Sequence, residues 1–215
     1  MIDYRLTLVT APSIEPVTLT EAKDFLRVTG TDDDALITSL IVVARTNAES
    51  YTRRAFITQT WQMLRDNWPF TKSNIWWDGV RQLPKSYLQG QSSLSIPKAP
   101  LSSVTTIKTY DDADVATTFA STGYQVSAYA GDFAEEGRVT LRDGSSWPTF
   151  SRVSDGIEIQ FIAGYGATAA DVPSQIKQAI LHDVSTLYEN RGDCSGDVCC
   201  DIAKKLLNPF RMLKI

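Results

Sequence analysis

Ile57-Thr58-Gln59-Thr60-Trp61-Gln62-Met63-Leu64-Arg65 is the stretch where the chain changes period. Before it, apolar residues recur every three or four positions. From Thr60 onward they alternate imperfectly among good β formers. The switch predicts a helical segment that ends near residue 56 and a β-rich segment that begins at 57.

Working back from the switch, Thr18-Leu19-Thr20-Glu21 reads as a capping box, in which the threonine oxygen accepts from the N3 amide and the glutamate reaches back. A first helix through Ala22, Phe25 and Leu26 is expected to stop at Gly30. Thr31-Asp32-Asp33-Asp34 is expected to open a second helix in the same manner, with its aspartates at the positive end of the helix dipole. Leu36, Ile37, Leu40, Ile41, Ala44, Ala48, Tyr51 and Ala55 mark the buried stripe of that helix, and Arg53 and Arg54 fall in its expected last turn. About 23 residues would make it roughly 34 Å long, a scaffold element. Residues 1–17 read as extended, punctuated by Pro12 and Pro16.

Working forward, strands are expected at 94–96, 104–110, 124–127, 138–141 and 157–162. Turn residues separate them: Pro97, Pro100, Asp111-Asp112, Gly131-Asp132, Asp143-Gly144 and Asp155-Gly156. This spacing predicts a small antiparallel sheet or barrel, with 72–91 as a long loop. Helical periodicity returns after Asp171-Val172-Pro173, with the proline tolerated near the first turn. Ile176, Ala179, Ile180, Val184, Leu187 and Tyr188 mark one face of a third helix ending near Arg191-Gly192. A short fourth helix, 198–207, precedes Pro209. The fold class is therefore α+β: a discontinuous helical bundle from both chain ends, 1–56 and 170–215, with an antiparallel β insertion, 57–169, between them.

Composition narrows the function. The chain has 215 residues, a net charge of −4, 43% hydrophobic and 21% charged residues. That is ordinary for a globular protein and lacks the basic excess of a general nucleic-acid binder. No apolar run approaches the ~20 residues that span a bilayer, and Met1-Ile2-Asp3-Tyr4-Arg5 does not open like a signal peptide. Cys194, Cys199 and Cys200 read as free thiols in a reducing compartment. With His182 the only histidine, no zinc set and no nucleophile–histidine arrangement forms. Ala163-Gly164-Tyr165-Gly166 lacks the lysine of a phosphate loop and reads as a strand-ending turn. Asp32-Asp33-Asp34 is accounted for by capping, and Asp111-Asp112 with Asp114 lacks the glycine and terminal glutamate of a calcium loop. No catalytic, cofactor-binding or metal-binding residue is assigned.

Two features remain. Among Trp61, Trp68, Trp76, Trp77 and Trp147, a core role covers Trp61 and Trp147. The adjacent pair Trp76-Trp77 would face opposite ways on a strand, which makes these two a candidate neighbour or tail interface. The other feature is the C-terminal stretch 202–215, which holds four basic residues (Lys204, Lys205, Arg211, Lys214) and no acidic one. Leu206 and Leu207 are expected to finish the helical core, and the plainer reading of the segment adds Phe210 to them. Phe210, Arg211, Met212, Leu213, Lys214 and Ile215 follow the helix-breaking Pro209 and are expected to need a partner outside the chain.

In order along the chain, several motifs together resemble the head–tail connector proteins of tailed bacteriophages, also called adaptor or head-completion proteins, which occur in gene transfer agents too. They are Val17-Thr18-Leu19-Thr20-Glu21-Ala22-Lys23, Asp32-Asp33-Asp34-Ala35-Leu36-Ile37, Thr58-Gln59-Thr60-Trp61, Ile96-Pro97 with Pro100-Leu101, Ser146-Trp147-Pro148, Ala163-Gly164-Tyr165-Gly166, Val172-Pro173, Leu187-Tyr188-Glu189-Asn190-Arg191 and Leu206-Leu207 with Pro209-Phe210-Arg211. The resemblance implies a non-enzymatic virion protein of the neck, without cofactor. It implies a homo-oligomeric ring, usually of twelve copies, that joins the portal protein to a downstream stopper or tail protein. DNA would pass through its channel without sequence-specific binding, and no membrane is involved. Assembly would take place in the host cytoplasm. The portal-docking tail would be residues 210–215. Another tail structural role (tail terminator, baseplate or surface-recognition module) is the alternative.

Overall fold

The computed structural model describes residues 4–68, 93–190 and 201–212. It combines four α-helices and eight β-strands among these residues. The helices are α1 (Leu19–Leu26), α2 (Asp34–Thr52), α3 (Ser174–Glu189) and α4 (Asp201–Leu207). The strands are β1 (Tyr4–Thr10), β2 (Gln59–Arg65), β3 (Ser93–Ile96), β4 (Leu101–Tyr110), β5 (Ala116–Thr118), β6 (Tyr124–Ser127), β7 (Gly137–Leu141) and β8 (Ile157–Ala163).

The capping box before α1 forms as the sequence predicts. Glu21 N–H donates to Thr18 Oγ1 at 3.2 Å, and Thr18 N–H donates to Glu21 Oε2 at 2.7 Å. The helix stops three residues before Gly30, at Arg27, which takes the left-handed conformation with φ 57°. Arg27 and Val28 amides then satisfy the carbonyls of Asp24 and Lys23, so the last-turn acceptors are closed without a glycine. The start of α2 also departs from expectation. Asp33 occupies the cap position, but its side chain makes no cap hydrogen bond. Instead it accepts from the Tyr188 hydroxyl on α3, while Asp34 pairs with Lys23 of α1 at 2.6 Å. The acidic cluster therefore ties three helices together.

α2 spans 19 residues, about 28 Å, shorter than predicted. It ends at Thr52 because Arg53 turns left-handed at φ 60°. Arg53 and Arg54 thus lie beyond the helix. Ile37, Ile41, Ala44 and Ala48 of α2 are buried with Ile176, Ala179, Ile180 and Val184 of α3, and with Ala203 and Leu207 of α4, in one apolar cluster. Helices from both parts of the chain therefore share a core.

The strands form two antiparallel sheets, one five-stranded in the order β1-β2-β8-β4-β5 and one three-stranded in the order β3-β7-β6. Central β8 alternates strictly, with Ile157, Ile159, Phe161 and Ala163 buried. These residues share a second apolar cluster with Leu94, Ile96, Tyr124 and Val139 of the smaller sheet. At Gly137 the two sheets come so close that a Cβ would lie 2.2 Å from Leu101. Two strands were not expected. β1 belongs to the sheet although it lies within the segment assigned to the helical part, so residues 4–10 extend the β region from the other side of α1 and α2. β5 is three exposed residues long. The predicted loop 72–91 lies outside the described residues.

The turn at Ala163-Gly164-Tyr165-Gly166 joins the two cores. Gly164 has φ 142°, and a Cβ there would meet the Thr58 amide nitrogen at 2.6 Å. Only glycine fits such an approach. Tyr165 and Thr58 amides donate to Phe56 and Gly166 carbonyls, which stitches the start of the sheet to the helical core.

Candidate docking site at the C-terminal segment

α4 leads into a 3-10 turn, Asn208–Phe210, with Pro209 at a position where its missing amide costs no hydrogen bond. The turn places Phe210 in the helical core, where it is 1% exposed. This corrects the expectation that the residues after Pro209 all need an outside partner. Phe210 docks onto its own chain, and its ring stacks on Phe133 with centroids 5.1 Å apart. Burying such a side chain contributes about 1.5–3 kcal/mol.

Arg54 fastens the segment. It is 4% exposed, and its Nε donates to the Phe210 carbonyl at 2.6 Å and its Nη1 to the Ala134 carbonyl at 2.7 Å. The guanidinium thus bridges the tail and the loop after Gly131. Tyr165 supports that loop by donating its hydroxyl to the Asp132 carbonyl at 2.8 Å. Burial pushes the Tyr165 hydroxyl up to about 12, so it stays a donor throughout the physiological range. Arg54 also lies just past the end of α2, where a cation is favoured by the helix dipole.

The next two residues follow the end of α2. The Met212 amide donates to the Thr52 carbonyl at 3.1 Å, which satisfies one of the acceptors left open at a helix C-terminus. Arg211 is exposed and its guanidinium lies 5.1 Å from the centroid of the Tyr51 ring. The Tyr51 hydroxyl in turn donates to Asn208 Oδ1 at 2.7 Å. The segment is therefore held at Asn208, Phe210 and Met212 before it continues. Leu213, Lys214 and Ile215 lie outside the described residues, as do Trp76, Trp77, Cys194, Cys199 and Cys200.

Of the other residues that the sequence singled out, Trp68 is the deeply buried tryptophan. It stacks on Trp147 at 4.4 Å and donates its indole N–H to the Pro148 carbonyl at 2.8 Å. Trp61 and Trp147 pack at the edge of the sheet core, and Lys98 Nζ lies 4.8 Å over the Trp61 ring. His182 packs edge-on against Phe25 at 5.2 Å. Among the described residues, no three His, Cys, Asp or Glu side chains come together as a metal site would require.

One buried polar cluster was not foreseen. Glu49, 6% exposed, accepts from the Phe56 amide at 2.9 Å, Gln59 Nε2 at 2.6 Å and Arg45 Nη1 at 2.9 Å. Burial raises its carboxyl above the ordinary value, against the pull of those donors. Arg45 also reaches Glu15 at 2.7 Å. The cluster locks the middle of α2 to the start of β2, where the two cores meet. The only sequence signal was a charged pair at i and i+4, which usually marks a solvated helix face.

Up to Met212 the C-terminal segment is anchored to the body through Asn208, Phe210 and Met212. Residues 16–119 match the family model of the phage gp6-like head-tail connector proteins. The connector match runs from the capping residues of α1 through β5, and it is to a structural component and not to an enzyme. Solved structures extend the likeness of fold to nearly the whole chain. A chain from the neck of an empty GTA particle, computed with C6 symmetry, superposes with a TM-score of 0.76 at 23% identity, covering 98% of this chain and 97% of that one. A chain from the virion of a native gene transfer agent particle gives 0.73 at 24% identity, covering 98% and 96%. A chain from the neck of a native GTA particle with C12 symmetry gives 0.73 at 22% identity, covering 98% and 97%. No curated protein matches the sequence.

Proposed function

We propose that this chain is a head-tail connector that acts as an adaptor of the phage neck: a ring of copies that joins the portal to the next connector or tail protein and extends the DNA channel within the virion. The observation that carries the proposal is the anchored exit of the C-terminal segment. Asn208, Phe210 and Met212 are fixed to the body by named contacts, and the sequence after them, Leu213-Lys214-Ile215, is basic and apolar.

The physics suits a ring. One short peptide binds weakly, whereas many peptides held at fixed spacing gain from effective concentration. Preorganising the exit reduces the ordering cost of each contact. The match to a head-tail connector family supports the neck assignment. The C6 and C12 symmetries of the neck structures with this fold support repetition around an axis. A net charge of −4 suits a channel through which DNA slides, because basic linings hold phosphate. The helical part, drawn from both ends of the chain, carries assembly and portal docking. The β part serves neighbour contacts or the next component, with Trp76 and Trp77 as candidates.

Deleting residues 213–215 tests the docking step. The truncated chain should keep its melting temperature, since Phe210, Met212 and their contacts remain, and lose binding to isolated portal. Unchanged portal binding would show that the tail is not the docking element.

A further inference from the structure

The outer face of α2 is uncharged along most of its length. A surface helix normally carries charge on its solvent side. On α2 no exposed side chain between residues 35 and 50 is charged. The face is built instead from Thr38, Ser39, Val42, Val43, Thr46 and Asn47, all exposed. Both charges in this stretch, Arg45 and Glu49, turn inward into the cluster with Glu15. The hydroxyls are also spent internally. Thr38 Oγ1 donates to the Asp34 carbonyl at 2.8 Å, Ser39 Oγ to the Leu36 carbonyl at 2.7 Å, and Thr46 Oγ1 to the Val42 carbonyl at 2.8 Å. The two threonines therefore show methyl groups outward. Val42 and Val43 are 39% and 46% exposed, although β-branched residues disfavour helix where packing does not require them.

A second uncharged stretch lies earlier in the chain. Residues 8–14 hold no charged side chain, and Leu8, Val9 and Ile14 are exposed. They form the end of β1, the edge strand of the five-stranded sheet, and the segment that follows it. Glu15, the next residue, pairs with Arg45 of α2 at 2.7 Å, which ties the end of this stretch to the helix.

We infer that the outer face of α2, together with residues 8–14, is the lateral contact onto a second copy of this chain. The inference rests on the ring reading above and adds to it the surface that closes the ring. Area favours an occupant that covers both stretches. The helix face alone, about 28 Å by about 10 Å, falls short of the roughly 800 Å² per partner of a specific interface. Charge complementarity favours a surface that is itself uncharged, and a ring needs such a lateral contact on every copy. Closure requires heterologous contacts, so the receiving surface is a different patch of the neighbour.

The test uses the full chain and reads assembly by analytical ultracentrifugation over a concentration series. Val43→Glu buries an unpaired carboxylate in the contact. The midpoint concentration for assembly should rise at least about tenfold with the melting temperature unchanged. Val153→Glu, at an exposed apolar residue of a different surface, should assemble like the parent chain. If Val43→Glu itself melts lower, Ser39→Lys on the same face is read in the same way. Assembly of the face variants at the parent's concentration overturns the inference and leaves the ring reading intact. A parent chain that stays monomeric, alone and on the portal, overturns the ring reading and this inference with it.

Discussion

Arg54 holds the main chain of Phe210 across 156 positions of sequence, with its Nε 2.6 Å from the Phe210 carbonyl oxygen. The pairing is a charged donor on neutral carbonyls in a buried site, so both sides depend on it. Hydrogen bonds to charged groups contribute about 1.5–3 kcal/mol, and buried acceptors left unpaired add to the loss.

Arg54→Met keeps much of the side-chain volume and removes the donors. It should destabilise the fold by about 2–4 kcal/mol and expose the segment after α4 to protease. Urea melts and the rate of limited proteolysis measure the two effects. A variant that melts like the parent would mean that the guanidinium does not clamp the segment.

Phe210 and Arg211 are neighbours with opposite tasks. Phe210→Ala removes a buried aromatic side chain and should cost about 3–5 kcal/mol. Arg211→Ala, at an exposed position over Tyr51, should cost less than about 1 kcal/mol while weakening portal binding. Denaturant titration and a portal pull-down, run on both variants, separate core from docking.

Glu49 gives a pH dependence of a definite sign. Burial raises its folded-state carboxyl above the unfolded value of 4.5, so the folded chain holds that proton more tightly. The stability contributed by this group is fully present below the unfolded value and is lost as pH rises through the raised folded value. Relative to Glu49→Gln, the parent should therefore lose stability as pH rises from below 4.5, then level off. Urea melts of both chains across the acid range measure it; a parent that gains stability relative to Glu49→Gln as pH rises would reverse the assignment.

Thr18→Ala tests the cap of α1. Loss of the Oγ1 acceptor should cost about 1 kcal/mol. The Thr18 amide, acting first among the causes, holds the Glu21 carboxyl below its ordinary value. A lowered carboxyl stabilises above the unfolded value and loses that contribution as pH falls through the folded value. Glu21→Gln should flatten this acid limb in melts recorded as a function of pH.

The helices and most strands were legible because their signals are local. Thr18 and Glu21 form their box within one turn, and Ile157, Ile159, Phe161 and Ala163 alternate without interruption. β1 was missed because only Tyr4 and Leu6 turn even partly inward, which leaves little alternation to read. The end of α1 was placed at Gly30 because glycine bears the left-handed conformation most cheaply, yet Arg27 adopts it. Arg54 read as a last-turn surface cation, since nothing local shows that its partners are the carbonyls of Ala134 and Phe210. The tail was half legible: its composition pointed to docking, but only tertiary contacts show that Phe210 docks inward. Glu49 was hidden for the same reason, because its donors arrive from Phe56 and Gln59 after the chain has turned.

Three consecutive residues at the end of α2 face three different ways. Arg54 grips the C-terminal segment, Ala55 lies in the sheet core and Phe56 lies in the helical core. A pull applied beyond Met212 is therefore delivered to the seam between the two cores and not to α4 alone. As a tensile joint, the seam would share the load between sheet and helices, so mechanical unfolding from the C-terminus should begin with rupture at Arg54 and not with unwinding of α2.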